Sequence, residues 1–120
     1  AEDHLNTSEK IWKPIPGYEG YYDVSNQGNV RSYWHRVGKG TGNGRGLKNV
    51  LGTPKPLNPA VSVYGYLIVT LCKQHSKRNL RVSRLVLLAF IGPCPPGMEA
   101  CHEDGKPTNN FLTNLRWGTP

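Results

Sequence analysis

Along the chain, apolar and polar positions change rhythm several times. Residues 1–9 show no apolar periodicity and read as a tail. The text EKIWKPIPGYEGYYDVSNQGNVRSYW follows, in which Tyr22 and Val24, then Val30 and Ser32, alternate on either side of a Ser-Asn-Gln-Gly turn. Alternation about such a turn predicts a β-hairpin. Trp12, Ile15, Tyr18 and Tyr21 supply a small apolar core for it, and packing outweighs base stacking as their reading. Residues 38–58 combine many glycines with almost nothing to bury, so a loop or linker is expected there. The run YLIVTL at 66–71 then predicts a strand, 74–78 a polar turn and 80–82 a short returning strand. Leu85, Leu88 and Ala89 fall at helical spacing after Ser83, and Gly92-Pro93 closes the run. A short, largely buried helix is predicted, with Ser83 as N-cap and Gly92 just past its C-terminus. Near the end, 99–102 reads as a strand, EDGKPTNN as a tight loop and 115–117 as the strand that returns.

Composition narrows the fold. A chain of 120 residues with 14 Gly and 10 Pro makes one small domain, or two modules sharing a thin core. Barrels and doubly wound sheets need longer series of elements, and so many turn-formers argue against long helices. The expected class is α+β, with small loop-rich antiparallel hairpins and one short helix. No apolar run approaches the roughly 18 residues of a membrane-spanning helix. The first ten residues are polar and acidic, where a secretory signal is basic and then apolar. The expectation is a cytoplasmic protein without membrane contact. Cys72, Cys94 and Cys101 are odd in number and lack a C-x-x-C pair, so neither a disulfide framework nor a four-cysteine zinc site is indicated.

Charge is distributed unevenly. The net charge is +7, but between Val24 and Met98 there is no acidic residue against eleven Lys and Arg. Such a block repels itself unless a polyanion is present, which makes nucleic acid the first partner to consider. A merely soluble basic surface is the plain alternative, and membrane-surface binding is weaker because the charges lie on no amphipathic helix. Within 38–58, Lys39, Arg45, Lys48 and Lys55 either follow a DNA backbone or simply decorate a linker. Acids return only at Glu99, Glu103 and Asp104, around His102.

That cluster carries the candidate chemistry. A neutral imidazole near pH 7 can take a proton from water, and a divalent ion can stabilise the charge that develops on a phosphodiester under attack. Asn114 stands 12 positions after His102, placed to fix either the loop or the imidazole. His4 lies in the tail, and His35 and His75 are flanked by basic residues and read as surface positions. Taken alone, His102 suits a structural role as well as a catalytic one.

The segment RVSRLVLLAFIGPCPPGMEACHEDGKPTNNFLTNLRWGT resembles the HNH endonuclease family, with a strand ending in His, an H-x-D-G loop, an N-N pair and N-L-x-W. EKIWKPIPGYEGYYDVSNQGNVRS is similar to the NUMOD-type motif that precedes HNH domains in phage and intron-encoded homing endonucleases. The two segments cover roughly half the chain, in the family's order. The resemblance implies a ββα-metal finger whose final helix is absent from the chain, and the layout 1–9 tail, 10–37 NUMOD-type module, 38–58 basic loop and 59–120 nuclease domain.

Carried over by position, the resemblance makes His102 the base that activates water and Asn114 the residue that holds the finger in shape. Asp104, Gly105, Asn109 and Asn110 become structural loop positions. Cys101 falls where relatives place a metal ligand, although a thiolate is a soft donor for magnesium. A divalent ion is implied, magnesium or manganese first, with zinc or another transition metal also open. No small-molecule cofactor is implied. Double-stranded DNA is the implied partner, and Arg31, Lys73, Lys77, Arg78, Arg81, Arg84 and Arg116 are its candidate contacts. The expected activity is phosphodiester hydrolysis. A monomer would most simply nick one strand, and a weak dimer could cut both. The alternative is a DNA-binding module that does not cut. RNA is disfavoured, because no aromatic single-strand platform is legible.

Overall fold

Ser25 reverses the chain at the first hairpin. Its Oγ accepts hydrogen bonds from the backbone N–H groups of Gln27 and Asn29, at 3.2 and 3.0 Å, and Gly28 takes the left-handed conformation that closes the turn, with φ of +84°. The structure, a computed structural model, describes residues 9–38, 47–74 and 76–119. The turn joins β2 (Tyr22–Ser25) to β3 (Val30–Gly38), with Tyr22 opposite Ser32 and Val24 opposite Val30, as the alternation predicts. β1 (Trp12–Pro14) pairs on the outer side of β2, and β4 (Leu47–Leu57) pairs along β3, giving an antiparallel sheet of order β1-β2-β3-β4.

β4 corrects the expected loop at 38–58. From 47 to 57 the chain is an eleven-residue strand. Partners run from Val30 with Leu57 to Gly38 with Leu47, interrupted by a register shift between Ser32 and Trp34. Residues 50–56 are exposed, so backbone pairing holds this strand and burial contributes little. Residues 39–46 of the expected loop and 1–8 of the expected tail lie outside the described residues, as does His75.

A second sheet contains β5 (Ala60–Val61), β6 (Leu67–Lys73) and β7 (Ser76–Arg81). Lys73 pairs with Ser76, so the reversal is tighter than the turn expected over 74–78, and Lys77 and Arg78 lie within a strand. β7 runs straight into α1 (Val82–Phe90). The helix starts earlier than a Ser83 cap would place it. Its N-cap is Arg81, without a side-chain capping bond, and Ser83 is buried in the first turn. Burial of Val82 at the core draws the chain into helix as soon as β7 ends. At the other end, Gly92 takes φ of +134° and its N–H reaches the Leu87 carbonyl at 2.9 Å, beyond the C-cap Ile91. The last pair, β8 (Glu99–His102) and β9 (Leu115–Gly118), is antiparallel, and a single 3-10 turn at Leu112–Asn114 leads into β9.

All of these parts meet at α1. Val82, Leu85, Val86 and Leu87 pack in one cluster with Ile15, Tyr22, Val24 and Val30 of the first sheet region, Val69 and Leu71 of β6, and Leu112 and Leu115 at the end of the chain. Polar ties reinforce this packing: the Tyr22 hydroxyl accepts from the Cys72 N–H at 2.9 Å, and Trp34 Nε1 donates to the Cys72 carbonyl at 3.1 Å. One core cluster thus takes residues from both 10–37 and 59–120. Leu85, 1% exposed at its centre, is the position to test. Leu85→Ala is expected to cost about 2–5 kcal/mol of stability in urea unfolding, with a single transition in which all parts of the fold are lost together.

Candidate active site

The pairing of β8 with β9 places His102 opposite Leu115 at the edge of a polar loop. Its Nε2 lies 2.9 Å from Asn110 Oδ1. In the neutral tautomer that makes this contact a hydrogen bond to the amide oxygen, Nε2 donates and Nδ1 carries the lone pair. Asn110 is 3% exposed, and its Nδ2 is buried with no hydrogen-bond partner among the described residues. The Tyr66 ring lies beside the imidazole, with centroids 6.1 Å apart, and the Arg81 guanidinium stacks on Tyr66 at 3.9 Å. Thus the residue ahead of β6, the last residue of β7 and the last residue of β8 bring an aromatic ring, a cation and a histidine together. Asn110 as the partner of His102, and Tyr66 as its neighbour, are the residues that sequence reasoning missed. Tyr66 was read only as strand, and no spacing signal links either residue to position 102.

The loop between β8 and β9 is built around Asp104. Asn114 Oδ1 accepts from the Asp104 N–H at 3.1 Å, while Asn114 Nδ2 donates to Asp104 Oδ1 at 3.0 Å and to the Asn109 carbonyl at 2.9 Å. Asn109 Nδ2 donates to Asp104 Oδ2 at 2.8 Å, and the Lys106 N–H to Asp104 Oδ1 at 2.8 Å. Gly105, with φ of +72°, closes the turn through its N–H to the His102 carbonyl. Of the two roles open to Asn114, its side-chain bonds go to the loop. The donors around Asp104, the Asn109 amide foremost and then the Lys106 N–H, pull its carboxyl down to about 2.

A metal site is less complete. Cys101 is half-buried, and its Sγ faces the Glu99 carbonyl at 3.7 Å. Glu103 is paired with Arg116, and both oxygens of Asp104 are engaged in the loop. Among the described residues no three His, Cys, Asp or Glu side chains are grouped to hold an ion. One soft sulfur beside an imidazole does not fit a hard divalent cation, which takes several oxygen donors.

The candidate DNA contacts divide by environment. Lys77, Arg78, Arg81 and Arg84 are exposed on β7 and the first turn of α1, and Arg84 also lies 5.5 Å from the Trp117 ring. Arg31 is committed elsewhere: its Nε binds the buried Asp23 at 2.8 Å and its guanidinium covers Trp12. Lys73 Nζ donates to the Gly17 carbonyl at 2.7 Å. Arg116 is exposed but paired with Glu103. Among the described residues, no helix is long and apolar enough to cross a membrane.

Comparison with known proteins gives a consistent set of relatives. Residues 11–72 match the NUMOD4 motif, and residues 80–120 match the HNH endonuclease family. The NUMOD4 match extends beyond residue 37 and takes in β4, β5 and most of β6. The chain is 37% identical over 108 residues to DNA endonuclease I-HmuI of Bacillus phage SP01, covering 90% of this chain and 52% of that protein. It is 32% identical over 66 residues to the uncharacterized HNH endonuclease L245 of Acanthamoeba polyphaga mimivirus, covering 55% of this chain and 20% of that protein. The solved structure of the HNH homing endonuclease I-HmuI, concerned with DNA binding and cleavage, superposes with a TM-score of 0.69 at 35% identity, over 91% of this chain and 52% of that one. The chain thus spans about half the length, or less, of the curated relatives it matches.

The Asp104 network has a measurable signature. A carboxyl lowered from its ordinary 3.8 to about 2 contributes order that is complete above the ordinary value and is lost as pH falls through the lowered one. Carbon-13 titration of Asp104 is expected to show a midpoint near 2, with protection of the Lys106 amide falling in step. A midpoint at the ordinary value would mean that the network does not form.

Proposed function

Since the chain belongs to the HNH endonuclease family, with a NUMOD4 motif ahead of its nuclease segment, we propose that it acts on double-stranded DNA as an endonuclease, with His102 as the general base. The observation that supports this reading is the 2.9 Å contact between His102 Nε2 and Asn110 Oδ1; with Nε2 as the donor there, Nδ1 is the nitrogen that takes a proton. A water molecule loses its proton to Nδ1, the new oxygen–phosphorus bond forms, and the bond to the sugar oxygen breaks, its electron pair staying on that oxygen, which takes a proton from solvent to leave as a hydroxyl. Arg81, held on Tyr66 beside the imidazole, supplies positive charge for the phosphate under attack. Lys77, Arg78 and Arg84 extend that surface and take neighbouring phosphates, which position the duplex but read no sequence. Asn114 and Asp104 contribute by keeping the loop in shape.

The family implies a divalent ion, and the requirement for magnesium or manganese is part of the proposal. Because the described donors do not complete a site, no step is assigned to the ion and Cys101 is kept as a single candidate ligand. The same observation favours a second reading, in which this chain binds DNA without cutting it. One such site in a monomer nicks a single strand, and the cytoplasm is the proposed place of action.

Relaxation of supercoiled plasmid separates the readings. The native chain is assayed with magnesium, with manganese and with chelator, beside His102→Ala. Nicking that needs an added ion and falls by at least about 100-fold in His102→Ala supports the endonuclease reading. Plasmid that is retarded but uncut in both proteins supports the binding reading. Nicking unaffected by His102→Ala would contradict His102 as the base.

A further inference from the structure

Asn110 holds His102, yet its own amide nitrogen holds nothing. Nδ2 is buried without a partner among the described residues, so hydrogen bonding anchors only one end of this side chain, the end that serves the imidazole. Something else must keep it in place. The nearest wall is the turn of the first hairpin. A Cβ added to Gly28 would lie 2.7 Å from Asn110 Cβ and 2.9 Å from the Asn110 carbonyl oxygen, closer than ordinary packing allows, so the backbones meet where only glycine fits. Two residues on, the Leu112 N–H donates to the Asn26 carbonyl at 2.8 Å, and Leu112 itself is buried. The turn is a rigid support. The Asn26 side chain, 4% exposed, accepts from the Ile11 N–H at 2.9 Å and donates to the Glu9 carbonyl at 3.1 Å, while the Asn26 N–H donates to the Ile11 carbonyl at 3.0 Å. β1 and the turn are thus pinned together before either touches the nuclease loop.

We propose that the 25–28 turn, within the stretch that matches the NUMOD4 motif, is a positioning element for His102: Gly28 and the Asn26 carbonyl seat residues 110–112 so that Asn110 presents its oxygen to Nε2 and leaves Nδ1 to take the proton. This rests on the reading of His102 as the base. The module then has a role besides any contact it makes with DNA, and the nuclease segment reaches its working geometry only with the turn beneath it. Neither Gly28 nor Asn26 is a catalytic residue; both act through Asn110.

Gly20 provides the control. It has φ of +85°, like the +84° of Gly28, but an added Cβ there meets nothing within 4 Å. Gly28→Ala and Gly20→Ala therefore carry the same backbone strain and differ in the clash with Asn110. Two readouts are taken on the whole chain: nicking of supercoiled plasmid with manganese, resolved into kcat and KM, and nitrogen-15 imidazole spectra at fixed pH, which report the His102 tautomer without DNA. Expected for Gly28→Ala is a kcat lower by about tenfold or more with KM within about twofold, and a His102 signal moved from the Nε2–H form to a tautomer mixture, while Gly20→Ala matches the native chain in both. Equal kcat and equal spectra for the two glycine variants would overturn the proposal. If Gly28→Ala does not fold, Asn110→Ala leaves the turn intact and removes the acceptor; an unchanged His102 spectrum in that variant overturns it equally. Failure of the base assignment shows differently, as native nicking by His102→Ala, and leaves the spectra free to decide the positioning claim.

Discussion

Among the described residues, three small sheets share one nine-residue helix as the apolar surface on which they meet. α1 meets strands from all of them, and Val82, Val86 and Leu87 are fully buried there. Arg84 is the exposed position of its first two turns. A helix buried on most sides draws its stability from its neighbours, because a segment this short is marginal by itself. This shared packing links the hairpin near the start of the chain to the loop between β8 and β9, although nearly ninety positions separate Val24 from Leu112.

The loop is organised by a different kind of interaction. Neutral amides of Asn109 and Asn114 and the Lys106 backbone N–H surround one carboxylate at the surface, so the donors are specific in direction while the charge stays in contact with water. His102 belongs to a separate arrangement, with one bond to Asn110 and an aromatic ring alongside. The loop network sets where the strand ends; the Asn110 contact sets how the imidazole is turned.

Much of this was legible from the residues. Val24, Val30 and the turn between them signalled the first hairpin, Gly92 signalled the helix end, and H-x-D-G with N-L-x-W placed β8 and β9. The failures share a cause, in that tertiary context decided against a local signal. Ser83 has the chemistry of a cap, but burial of Val82 starts the helix earlier. The glycine-rich stretch has no alternation, yet β3 offers a long edge on which 47–57 pair through their backbone. Arg31 lies in a basic block, but a buried aspartate across the hairpin claims it. Gly28 looked like an ordinary turn residue, because the close approach of Asn110 comes from a segment eighty-two positions away and leaves no trace in local pattern.

The central claim is that the hairpin region and the nuclease segment form one folded unit. Native-state hydrogen exchange tests it most directly. If α1 ties them together as described, the slowest amides of β2, α1 and β9 open with the same free energy, within about 0.5 kcal/mol, and respond alike to urea. Exchange of β9 through a distinctly lower-energy opening, while β2 stays protected, would contradict it and make the two motifs independently stable neighbours.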